Sequence, residues 1–324
     1  MFCEIDSLID RMNESGGEGI PFLFIVDYEL KRAFFSSFPF KNCEVRWHIG
    51  DSGNYPPLRH HPPISLEPVT FPSEEEYAEA FAVIRKGLLR GDSFLANLTS
   101  ATRVECSALE DLFMAATAPY RLLIPDEFVC FSPESFIKIS DNGIISTYPM
   151  KGTIKADIPN AYENLLTNYK ELSEHYTIVD LLRNDLGMVA SDVHVERFRY
   201  FEKIETANGP IYQTSSHISG QLPPGWQSRL GEIVVRVLPA GSICGAPKAS
   251  TLKLIRNAEK SERGWYTGVF GFFDGKSLDS AVMIRCIQRH SDGLFYFHSG
   301  GGITVNSDVS EEYSELLDKV YLTV

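Results

Sequence analysis

Short apolar runs separated by turn residues dominate this chain, and they set what it can fold into. Phe128–Ser132, Phe136–Ser140 and Ile144–Tyr148 follow one another at hairpin spacing, with Asp141-Asn142-Gly143 as a tight turn. Strands that meet through tight turns pair antiparallel, whereas parallel strands need a crossover of a dozen or more residues. Residues 21–28 and Glu44–Ile49 read as further strands, and the C-terminal third alternates Gly268–Phe273, Ser280–Gln288 and Leu294–His298 with Gly-rich turns. The pattern predicts an α+β fold of large antiparallel sheets with helices outside, not a doubly wound parallel sheet.

Helices are expected at Ser73–Arg90, near Ser107–Ala116, at Glu163–Leu186, near Arg229–Val237, at Ala249–Arg256 and from about Ser310 to Tyr321. The first carries its own start signal: Ser73 can cap, Glu76 stands three residues on, and Tyr77, Phe81, Ile84 and Leu88 form a stripe. Tyr55–Pro72, rich in Pro and containing His60 and His61, reads as an extended linker with exposed histidines, because proline lacks the amide donor. No boundary is visible after residue 70. The expected organisation is a reduced N-terminal segment, 1–70, packed on one large domain, 71–324.

The 324 residues are 44% hydrophobic, enough for a sizeable core. A formal charge of −13 repels nucleic-acid phosphates and anionic membranes, so neither is an expected partner. The six cysteines are scattered without metal spacing and read as reduced thiols. The N-terminus lacks the apolar stretch of a signal peptide, and no run is long enough to span a membrane. A cytoplasmic location is expected.

Four segments carry residues suited to chemistry. Ser132-Pro133-Glu134 is followed seventeen residues after Glu134 by Lys151 in Pro-Met-Lys-Gly-Thr. A carboxyl and an amine brought together by adjacent strands can do acid/base or nucleophilic work, if burial and neighbours retune them. From spacing alone, the pair reads better as a solvated turn Glu and a surface Lys. In Glu174-His175-Tyr176-Thr177-Ile178-Val179-Asp180-Leu181-Leu182-Arg183-Asn184-Asp185, Glu174 shares a helix face with Ile178 and Leu181. A carboxylate on an apolar stripe is costly unless paired or on a metal. Pro239-Ala240-Gly241-Ser242-Ile243-Cys244-Gly245-Ala246-Pro247-Lys248 precedes a helix and is either an anion nest or an ordinary turn. Gly300-Gly301-Gly302 follows a strand and permits close backbone approach, and Glu315 and Lys319 are i,i+4 neighbours in the helix beyond.

In this order the four segments, with Arg263-Gly264-Trp265-Tyr266-Thr267-Gly268, closely resemble the chorismate-utilising enzymes: anthranilate, aminodeoxychorismate, isochorismate and salicylate synthases. The resemblance covers roughly residues 73–322. It implies one domain of two facing antiparallel sheets, and a chorismate site with Mg²⁺. It implies Glu174 and Glu315 as metal carboxylates. It implies Gly152, Thr153, Ser242, Gly245, Tyr266, Arg285, Gly300, Gly301, Gly302 and Lys319 at the substrate. Lys151 matches the slot where aminodeoxychorismate synthases carry Lys and anthranilate and isochorismate synthases usually carry Ala. The implied chemistry is attack of Lys151 at C2 of chorismate, with Glu134 as general acid on the C4 hydroxyl, then addition of ammonia at C4. Lys151 must then be neutral, and desolvation and nearby cations are expected to lower its pKa. Ammonia would come from a glutamine amidotransferase subunit, and the product would serve para-aminobenzoate and folate synthesis.

Two other readings stand beside this one: anthranilate synthase component I, with Lys151 a spectator, and a non-catalytic chorismate-binding or partner subunit. The chain departs from its relatives at Gln213, where His is usual, at Cys244, usually Thr or Ser, and at Leu95, where aminodeoxychorismate synthases tend to have Gln. Glutamine can donate a hydrogen bond but cannot carry a proton near neutral pH. Residues 1–70 lack the Leu-Leu-Glu-Ser motif that marks a tryptophan pocket in longer relatives, so no such site is expected.

Overall fold

A computed structural model describes residues 2–41, 44–55, 64–204 and 209–321. His60, His61 and Cys43 lie outside the described residues. Two antiparallel sheets, of ten and nine strands, make up the architecture. Between them lies a core containing Leu23, Ile25 and Phe270 from one sheet and Trp47, Leu122 and Phe128 from the other. Helices cover the outer faces, as the turn-linked strand pattern predicts.

Phe22–Val26 shows why the apolar runs are unbroken. Every residue in it is buried. Leu23 and Ile25 point between the sheets, while Phe22, Phe24 and Val26 pack under the outer helices. Alternate side chains leave opposite faces of a strand, so a strand covered on both sides needs no polar face. The first 70 residues supply strands to both sheets: Phe22–Val26 pairs with Val269–Phe273, and Arg46–Ile49 pairs with Tyr120–Ile124. Within the expected linker, Leu66–Thr70 is a strand paired with Leu95–Cys106.

The helix at Glu74–Arg90 starts as expected, with the Ser73 hydroxyl accepting from the Glu76 N–H and Glu76 reaching back. Three expectations need correction. The helix expected over Glu163–Leu186 is two, Ala161–Thr167 and Tyr169–Gly187. Asn168 has ψ 108, breaks the first, and caps the second by accepting from the Glu171 N–H. A helix at Ile5–Glu18, ended by left-handed Gly19, is not anticipated by the sequence reading. The strand expected over Ser280–Gln288 is also two, Leu278–Val282 in one sheet and Cys286–Arg289 in the other. The chain changes sheet between them, where Arg285 adopts φ 56.

At residue 245 only glycine fits. Its φ is 128, and a Cβ there would stand 1.8 Å from the Leu95 carbonyl oxygen. Gly245→Ala is therefore expected to lower stability by roughly 2–4 kcal/mol. An unchanged urea midpoint would contradict this close approach.

Candidate active site

Two sheet crossings build the site. The chain leaves the nine-stranded sheet at Ser132 and enters the other at Ser135, with Glu134 between. The second crossing carries Arg285. The crossings are stitched together: the Val282 N–H donates to the Glu134 carbonyl at 3.1 Å, and the Phe131 N–H donates to the Arg285 carbonyl at 3.1 Å. A cavity of about 620 Å³ opens here.

Lys151 enters from the strand Met150–Lys155, whose register against Ile211–Gln221 shifts between Met150 and Thr153. Gly152, at φ 79, sits within that irregularity, which re-aims the strand's side chains. The Lys151 ammonium donates to Glu174 at 2.7 Å. Glu174 lies on the buried face of its helix with Ile178 and Leu181, so the carboxylate on the apolar stripe has an ion-pair partner. Opposite, Lys319 donates to the Gly300 carbonyl at 2.7 Å and pairs with Glu315 at 2.7 Å. Arg285 donates to the Lys319 carbonyl at 2.8 Å and lies over the Tyr321 ring. A Cβ on Gly301 would stand 3.3 Å from Glu312 and 3.7 Å from Lys319, and one on Gly302 would stand 3.5 Å from the Lys151 nitrogen. The glycines leave space in front of both ammonium groups.

Glu134 and Lys151 both face this cavity, and so do Gly152, Thr153, Glu174, Ser242, Tyr266, Arg285, Gly300, Gly301, Gly302, Glu315 and Lys319. Gly245 does not line it, and is held against the Leu95 backbone instead. The sequence reading missed Asn97, Glu171, His298, Glu312, Asp318 and Tyr321, which also line it. Glu171 and Glu312 stand one helical turn before Glu174 and Glu315, a spacing that could have revealed them. Gln213 faces the cavity, pairs in register with Thr153, and donates to the Met150 sulfur. Cys244 is buried, its thiol pushed up to about 11 by burial, and is unsuited to nucleophilic work.

Burial pushes the Glu134 carboxyl up, against the opposing effects of the Ser242 hydrogen bond and the Lys151 charge. A carboxyl raised in this way can hold a proton for transfer. The expectation for Lys151 needs correction. Burial does act to lower its pKa, but Glu174, with Glu171 and Glu315, outweighs it and holds the ammonium above its ordinary range. The acids in the cavity, Glu134, Glu171, Glu174, Glu312, Glu315 and Asp318, outnumber the cations Lys151, Arg285 and Lys319. Among the described residues no group of three or more His, Cys, Asp or Glu side chains is arranged to hold a metal. No helix among them is long and apolar enough to cross a membrane.

A family model described as chorismate binding enzyme matches residues 12–323, and the chain belongs to that family. An uncharacterized PabA-like protein of Haemophilus influenzae is 46% identical, over 98% of this chain and 96% of its own length. Aminodeoxychorismate synthase component 1 of Salmonella typhimurium is 32% identical, over 76% of this chain and 56% of its own. The crystal structure of anthranilate synthase component I from Streptococcus pneumoniae superposes with a TM-score of 0.64 at 25% identity, over 80% of this chain and 59% of that one.

His298 provides a check on how dry the cavity wall is. Burial pushes its imidazole down to about 3, helped by His290, whose ring nitrogen is 3.0 Å away. The unfolded chain binds this proton near pH 6.5 and the folded chain near 3, so this group's contribution to stability is lost as pH falls between those values. An NMR titration is expected to show the His298 ring still neutral at pH 4.5. Titration near 6.5 would mean that the wall is wet.

Proposed function

We propose that this protein aminates chorismate at C4, giving 4-amino-4-deoxychorismate, with Lys151 as a covalent nucleophile. One observation carries the reading: a lysine and a carboxyl raised above its usual range face the same cavity, beside cations suited to a dicarboxylate.

The Lys151 ammonium first gives up its proton to solvent, and the neutral amine then forms a bond to C2 of the ring. The ring π electrons shift, and the C4–O bond breaks, with the hydroxyl leaving as water on a proton from Glu134. Ammonia then forms the new bond at C4 while the Lys151–C2 bond breaks, and Glu134 takes up a proton in return. Arg285 and Lys319 receive the substrate carboxylates, Arg285 with a planar fork that can bind one bidentately. Tyr266 and the glycine strand shape the wall behind the ring.

The donor chemistry of the cavity fits Mg²⁺, which takes one or two carboxylates plus waters and substrate oxygens rather than an all-protein cage. Bound by Glu174 and Glu315, it would neutralise the carboxylate charge that keeps Lys151 protonated and would coordinate a substrate oxygen. Relatives named aminodeoxychorismate synthase component 1 support para-aminobenzoate and folate synthesis as the setting. A glutamine amidotransferase subunit is proposed as the ammonia source.

The test is to incubate the protein with chorismate, Mg²⁺ and ammonium at mildly alkaline pH and identify the product by mass and retention. The wild type is expected to give aminodeoxychorismate, and Lys151→Ala to lose at least about 100-fold in rate. Anthranilate from the wild type would point to an anthranilate synthase and sink the proposal. Chorismate binding without turnover would favour a non-catalytic subunit.

A further inference from the structure

Three charged residues in the segments that distinguish this chain do not face the cavity. They are Asp185 at the end of the Glu174 helix, Lys248 after the Pro-Ala-Gly-Ser loop, and Arg263 before Trp265. The structure brings all three to one short turn, Gly241–Ile243.

On one side, the Asp185 carboxylate lies against Gly241 and pairs with Lys248 at 2.8 Å. The fit is tight, since a Cβ on Gly241 would come within 2.7 Å of that carboxylate. On the other side, the Arg263 fork donates to Glu259 at 2.8 and 2.6 Å and to the Ile243 carbonyl at 2.9 Å. The same guanidinium donates to the Asn97 carbonyl at 2.8 Å. The Arg263 and Glu259 side chains are 2% and 5% exposed. The turn's own backbone bonds, from the Ile243 and Cys244 N–H groups, are long at 3.3 Å. Side chains, more than the turn itself, fix its place. Between the clamped residues stands Ser242, whose hydroxyl donates to Glu134 at 2.6 Å.

We propose that the ion pairs Asp185–Lys248 and Glu259–Arg263 form a clamp that holds the Ser242 hydroxyl on Glu134, so that Ser242 is the positioning residue for the general acid rather than a substrate contact. This rests on the reading of Glu134 as the acid. A donor to the carboxylate fixes which oxygen carries the proton: Ser242 occupies one, and the other is left to face the substrate. The hydrogen bond also favours the ionised form, and so limits how far burial can raise Glu134. Of the charged groups, Lys151 bears on Glu134 from its strand, and Arg285 and Glu174 line the same cavity.

Two measurements test this, and one needs no turnover. Carbon-13 NMR of glutamate-labelled full-length protein, with Glu134→Gln for assignment, reads the Glu134 titration directly. In Ser242→Ala it is expected to move to higher pH, and in Ser242→Thr to return toward the wild type. With chorismate, Ser242→Ala is expected to lower kcat roughly ten-fold at unchanged KM. A raised KM with an unmoved Glu134 titration would make Ser242 a substrate contact and overturn the proposal. For the clamp, Arg263→Lys keeps the charge but loses the fork, and should shift Glu134 as Ser242→Ala does. The double variant should be no worse than either single one. Additive effects would overturn the clamp. Asp185→Asn, which keeps the side chain's size against Gly241 but removes the charge that pairs with Lys248, repeats the test if Arg263→Lys does not fold. The titration stands or falls whatever product the enzyme forms, so its failure is separable from failure of the amination reading.

Discussion

The cavity exists because the chain passes between its two sheets twice in the same place. A strand cannot change sheets without leaving its ladder, and the residues at the break lose their regular partners. Here the two breaks satisfy each other, through the Val282–Glu134 and Phe131–Arg285 backbone bonds. Glu134 and Arg285, the proposed acid and the proposed carboxylate anchor, are thus placed by backbone pairing rather than by flexible loops. The remaining groups arrive on elements that converge on the gap: Lys151 on an irregular strand, Glu174 on a helix, and Lys319 after another helix.

Charge balance governs what this gap can hold. Carboxylates outnumber cations along its wall, although the proposed substrate is an anion. Such a site repels its substrate unless a divalent cation or protons intervene. Burial supplies part of the answer by keeping Glu134 toward its neutral form. The Lys151–Glu174 pair shows the rest of the problem. Each charge is the other's partner in a poorly solvated place, and the pairing holds the amine in its unreactive state. An amine that attacks from this pocket must first be freed from Glu174.

Much of this was legible in the residues, and the failures have physical causes. The strands could be read because doubly covered segments such as Phe22–Val26 are uninterrupted apolar runs bounded by turns. The Ser73 cap was legible because capping depends on local spacing alone. The break at Asn168 was missed because asparagine is tolerated within helices as well as at their starts. The sheet crossing at Arg285 was missed because an apolar run looks the same whether its residues pair in one sheet or two. Glu174 showed itself as a carboxylate on an apolar stripe, and its pairing with Lys151 did not, since contacts across 23 residues leave no periodic trace. Gly245 shows a similar ambiguity: a glycine needed against Leu95 looks, in sequence, like one needed against a ligand.

The central claim is that Lys151 bonds to the substrate ring. The most direct measurement is peptide-mapping mass spectrometry of the protein quenched during incubation with chorismate and Mg²⁺ in the absence of ammonia. The account predicts an adduct on Lys151 with the mass of chorismate less one water, absent in Lys151→Ala. Turnover on later addition of ammonia with no adduct on Lys151 at any time, or with an adduct on another residue, would contradict it.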